Sequence, residues 1–185
     1  GDVYKRQTDE NPECIGRMHT PDHGKTHVRS YCDPDNFFGE ADKFFYNNKG
    51  IFIDRSSRSG INRVQYKGLG VVPGDVDNDG DLDIYVANDK EMNLLFINNG
   101  KGRFVEKALA MGVGYNGDGL AEAGMGVDFG DFNRDGWLDI FVTHFTGETK
   151  SIGICIAENM PLRTPNDCPK LNMLVTPWPG IAETC

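Results

Sequence analysis

The chain has 185 residues, enough for one medium domain or two small ones with a real core. Its 28 acidic against 19 basic residues leave a net charge of −9, which argues against a nucleic-acid groove or an anionic membrane surface as partner. No stretch approaches the ~18 consecutive apolar residues that cross a bilayer as a helix, and 23 glycines with 9 prolines describe a turn-rich globular chain.

In chain order, residues 1–7 read as a cloning or assembly scar rather than as part of a fold. Residues 8–43 are expected to form a loop region pinned by a disulfide between Cys14 and Cys32. Such a bond would close a loop of about 19 residues, stabilise by roughly 3 kcal/mol in the chain-entropy model, and require an oxidising compartment. His19, His23 and His27 fall four apart near these cysteines, which invites a zinc site. Pro21 and Gly24 break the helix that would stack the imidazoles, so a solvated loop is the better reading. Phe37, Phe38, Phe44 and Phe45 are expected in the core.

Residues 44–150 carry an internal repeat. Residues 69–88, LGVVPGDVDNDGDLDIYVAN, align without a gap to residues 125–144, MGVDFGDFNRDGWLDIFVTH, 56 positions on. Glycines 70, 74 and 80 recur at 126, 130 and 136. A second element repeats as well, since Phe45-Tyr46-Asn47-Asn48 returns as Phe96-Ile97-Asn98-Asn99, followed by a glycine turn. Leu82–Ala87 and Leu138–Thr143 are β-branched and aromatic runs bounded by turn residues, which predicts strands. Asn99-Gly100 supplies the positive φ angles of a tight hairpin. No window shows helical periodicity, so the expected fold is all-β, a partial β-propeller of about two and a half blades. After Lys150 the text changes. Residues 151–185 hold three Cys and five Pro without the repeat signature, and read either as an aberrant, frameshifted tail or as a divergent loop. Both ends suggest a fragment of a longer gene.

The sharpest chemistry lies in the two acidic loops. Asp75, Asp77, Asp79 and Asp83 occupy positions 1, 3, 5 and 9 of one, and Asp131, Asn133, Asp135 and Asp139 those of the other. Alternate side chains in a tight loop converge, and Gly80 or Gly136 at position 6 permits the turn that brings the carbonyl of Asp81 or Trp137 within reach. An all-oxygen donor set of this kind suits Ca²⁺ rather than zinc or a redox metal, and two sites are expected. An EF-hand would place Glu at position 12 between helices, whereas Val86 and Val142 stand there and strands follow. Carboxylates that merely keep a turn hydrated would repel one another without compensation.

These loops, with their Gly-Val strands and Asn-Gly hairpins, resemble the FG-GAP/VCBS repeats of integrin-α-type β-propellers. Gly124-Met125-Gly126-Val127-Asp128, Ala87-Asn88-Asp89, Gly147-Glu148-Thr149 and Tyr31-Cys32-Asp33-Pro34-Asp35 are similar to the cartilage acidic protein (ASPIC) family, including its secreted bacterial members. The resemblance covers roughly residues 14–150. It implies calcium ligation by the eight side chains named above, with backbone oxygens from Asp81 and Trp137. It also implies a non-catalytic binding or adhesion module in a secreted, periplasmic or cell-surface setting, with an extracellular protein or glycan as partner and no membrane insertion. Rival readings are the scaffold domain of a secreted polysaccharide-acting enzyme and a purely structural repeat. The enzyme would need a Lys, Arg, Tyr or His cluster at the propeller mouth, and no nucleophile elbow or phosphate loop is present. His144, at a strand end, is expected to pack or line the rim.

Overall fold

The structure is a computed structural model that describes residues 34–144, together with the backbone of three short strands at Gly16–Arg17 (β1), Arg29–Ser30 (β2) and Ile152–Cys155 (β13). Cys14 and Cys32 lie outside the described residues, as do the three histidines near them and most of the 151–185 segment. The chain divides into two compact units, Gly1–Phe37 with Met173–Cys185, and Phe38–Asn172. In the first, β1 pairs with β2 and a 3₁₀ turn spans Pro34–Asn36.

The second unit is all-β, built of successive antiparallel sheets. Glu40–Ala41 (β3) pairs with Gln65–Tyr66 (β6), and Phe45–Asn48 (β4) forms a hairpin with Ile51–Asp54 (β5). Gly68–Gly74 (β7), Asp83–Asn88 (β8), Leu94–Asn98 (β9) and Phe104–Glu106 (β10) make a four-stranded sheet in the order 10-9-8-7. Gly124–Gly130 (β11), Asp139–His144 (β12) and β13 form the next. Successive up-and-down sheets packed face on face are the arrangement expected of propeller blades. The 56-residue repeat maps β7 and β8 onto β11 and β12, each pair flanking one acidic loop.

Period-two alternation decides what each face buries. On β8, Tyr85 and Ala87 point toward the following sheet and form one cluster with Leu95, Val113, Ile140 and Val142. Ile84 and Val86 point the opposite way, into a second cluster with Leu94, Phe96, Phe104 and Ile61. The Tyr85 hydroxyl donates to the Val113 carbonyl at 2.8 Å, so the buried phenol stays satisfied. The sheets approach so closely that Gly70 sits against the Met125 carbonyl, which leaves no room for a Cβ.

Three expectations need correction. Phe38 is fully exposed and Phe45 about half so, while Phe44 alone of the four packs on a core cluster, edge-on to Phe104. In the second hairpin, positive φ falls on Gly100 and Gly102, not on Asn99, whose side-chain oxygen accepts the Lys101 and Arg103 amides instead. An α-helical turn, Ser56–Ser59 (α1), followed by a 3₁₀ turn at Ile61–Arg63, interrupts the β pattern. Asp54 holds its start by accepting both the amide and the hydroxyl of Ser56, and Gly60 ends it at φ +87°. Among the described residues no helix is long and apolar enough to cross a membrane.

Candidate metal centre

Each acidic loop leaves the end of one strand and returns at the start of its neighbour, so strand pairing fixes both loop ends. Five hydrogen bonds then shape the first loop. The Asp79 amide donates to Asp75 Oδ1 (3.1 Å) and to Asp77 Oδ1 (3.3 Å), Gly80 to Asp75 Oδ2 (3.0 Å), Asp81 to Asp79 Oδ1 (2.9 Å), and Val76 to Asp83 Oδ2 (3.0 Å). The same five recur 56 positions on. Asp135 donates to Asp131 Oδ1 and Asn133 Oδ1 (both 2.9 Å), Gly136 to Asp131 Oδ2 (3.0 Å), Trp137 to Asp135 Oδ1 (2.9 Å), and Phe132 to Asp139 Oδ2 (2.8 Å). Both loops turn through left-handed residues at positions 4 and 6, Asn78 and Gly80 in one, Arg134 and Gly136 in the other. Two segments of different sequence thus take one conformation.

In the first loop, carboxylate oxygens of Asp75, Asp77 and Asp83 all lie within 4.8 Å of one another. Two oxygens bound to one Ca²⁺ at about 2.4 Å each stand at most ~4.8 Å apart, so this spacing fits a shared cation. Asp83 is fully buried, and its oxygens also accept the Val76 and Asn98 amides, which hold the carboxylate in place. Burial pushes its pKa up, the two amides pull it down, and the charges of Asp79 and Asp75 raise it further. Burial also raises Asp77, reinforced by the charges of Asp83, Asp79 and Asp75. Crowded carboxylates that resist ionisation are what a bound dication would relieve.

Asp79 is not part of that three-carboxylate group; its Oδ1 accepts the Asp81 amide. The Asp81 side chain reaches toward the hairpin, where a Cβ on Gly100 would strike it. In the second loop Asn133 replaces one carboxylate, and its amide donates to Asp135 Oδ2 at 2.9 Å. Asp139 is buried and Trp137 half-buried, while Asp131, Asn133 and Asp135 are exposed. Two residues that position the first loop escaped the sequence reading. Asn98 braces it, its amide on Asp83 and its side chain on the Leu82 carbonyl at 3.1 Å. Its place in the repeated Asn-Asn hairpin was the available signal. Val76, fully buried between two acids, is the other.

Residues 75–142, from the first acid of loop one to the middle of β12, match the family model of the FG-GAP-like repeat. Within a 102-residue alignment the chain is 34% identical to cartilage acidic protein 1 of Xenopus tropicalis and 35% identical to those of Mus musculus and Homo sapiens. Each alignment covers 54% of this chain and 15% of the relative, so the chain spans a small part of the proteins it matches.

Proposed function

We propose that this chain is a calcium-stabilised, non-catalytic β-propeller module of a secreted or cell-surface protein, used to bind an extracellular protein or glycan. The convergence of Asp75, Asp77 and Asp83 within 4.8 Å carries the reading. The five recurring hydrogen bonds extend it to the second loop through Asp131, Asn133, Asp135 and Asp139. The likeness to cartilage acidic proteins supports an extracellular setting, where calcium is abundant enough to fill weak sites. The ion would neutralise the loop acids and tie the end of one strand to the start of the next. The binding surface would then be presented by loops on a scaffold that calcium keeps rigid.

Calorimetric titration of the full chain with calcium tests this. Two ions per chain are expected, with dissociation constants of about 10⁻⁴–10⁻³ M and the first loop tighter, since it offers one more carboxylate. Asp77→Ala should abolish one of the two. Absence of calcium binding by the unaltered chain would overturn the proposal.

A further inference from the structure

The two loops do not stand apart. Val76, between two acids of loop one, has no exposed surface and shares a buried cluster with Ile140, which directly follows Asp139 of loop two, and with Val142 further along the same strand. Its counterpart Phe132 is more than half exposed, so loop one is seated on the sheet of loop two. Gly74, which leads into Asp75, lies against that sheet too. A Cβ there would stand 2.6 Å from the Phe129 ring and 3.1 Å from Leu138 Cδ1, and Leu138 precedes Asp139. A side chain also joins the loops, because the exposed Asn78 Nδ2 donates to the Gly136 carbonyl at 3.4 Å, across 58 residues. Asn78 sits between Asp77 and Asp79, and Gly136 between Asp135 and Trp137. The bond therefore links the turns that carry both donor sets.

We infer that the acidic loops form one coupled unit, in which a cation in either loop raises the affinity of the other through the Asn78–Gly136 hydrogen bond. Val76 and Gly74 hold the loops in register, and Asn78 conveys the ordering. An ion in loop one fixes the Asp77–Asp79 turn and with it the Asn78 side chain. That restrains the Gly136 carbonyl and so reduces the ordering that loop two must undergo on binding its own ion. Coupling of this kind is reciprocal by thermodynamic necessity. The inference rests on the calcium reading above and adds to it.

Terbium luminescence excited through Trp137, which lies within loop two and next to Gly136, reads an ion in either loop, so the light that remains in Asp131→Ala is assigned to loop one and the rest of the Trp137-dependent light to loop two. Displacement of the terbium by calcium then reports the affinity of loop two in the full chain. Emptying loop one with Asp77→Ala should weaken calcium binding at loop two about three- to tenfold, the scale of one modest hydrogen bond. In an Asn78→Ala background, with circular dichroism unchanged, the same substitution should change it less than twofold. An unchanged loop-two affinity in Asp77→Ala, in a chain that binds two ions when unaltered, would overturn the coupling and leave the calcium reading standing. If neither loop of the unaltered chain takes up terbium or calcium, the calcium reading falls and the coupling with it.

Discussion

Asp83 shows how one side chain can serve both the fold and a prospective ion. Its carboxylate accepts amides from Val76, in the loop, and Asn98, at the end of β9. Without it, two backbone donors lose their acceptor in a buried place. Asp83→Ala should therefore destabilise the metal-free chain by about 1–3 kcal/mol for each amide left unpaired. Asp83→Asn keeps one acceptor oxygen and turns an NH₂ group toward a donor, so its loss should fall between the two. Urea unfolding in the presence of a chelator is the measurement, and an Asp83→Ala midpoint equal to that of the parent would show that neither bond matters. The sequence pointed to this residue as a ligand by its position in the loop. Its bond to Asn98 was hidden, because the partner stands 15 residues away on a strand that only the folded sheet brings near.

The repeated hairpin offers a comparison between equivalent elements. Aligned as the sequence repeats, Asp42 before β4 corresponds to Asn93 before β9. Asn93 is buried, and its side-chain oxygen accepts the Asn88 amide at 2.8 Å. Asp42 is half-buried, and desolvation raises its pKa above 3.8. A carboxyl whose folded pKa is raised adds stability that is complete below the unfolded value and is lost as pH rises through the folded one. At neutral pH the ionised Asp42 thus opposes folding, and Asp42→Asn should raise the melting temperature at pH 7 but not near pH 3. An equal difference at both pH values would refute a charge effect. The elements themselves were legible to differing degrees. β8 and β12 begin and end one residue later than their apolar runs, because the ladders open only at Asp83 with Gly74 and Asp139 with Gly130 and leave Leu82 and Leu138 in the loops. The turn at Ser56–Ser59 was not legible, since four residues carry no periodicity and Asp54 sets its start from outside. The exposure of Phe38 and Phe45 was equally hidden, because an aromatic run does not say which face a neighbouring sheet will cover.

At the scale of the molecule, the repeat sets how sheets stack, and the acidic loops lie where each sheet turns back on itself. The 56-residue period was legible because glycines and acids recur in register, and the stacking follows from it. Tyr85 and Ala87 face forward and Ile84 and Val86 backward, so each sheet completes the core of its neighbour. A blade in this arrangement cannot loosen alone, since cluster residues on β8 and β9 share their core with Ile140 and Val142 on β12. Calcium should therefore stabilise the sheets together. For free calcium about 10- to 100-fold above the dissociation constant, linkage gives roughly 1.4–2.7 kcal/mol per site. Two sites would add about 3–5 kcal/mol, or about 5–20 °C in melting temperature for a chain of this size. Thermal unfolding in 10 mM calcium against excess chelator should show that shift, and magnesium should reproduce little of it because it is reluctant to shed its waters. Far-ultraviolet dichroism and Trp137 fluorescence, read in a Trp178→Phe chain so that Trp137 is the emitter, should report a common midpoint, since the loop that carries Trp137 is anchored by β11 and β12. A calcium-dependent change confined to the fluorescence, with the dichroism midpoint unmoved, would show that the ion orders the loop without supporting the stacked sheets.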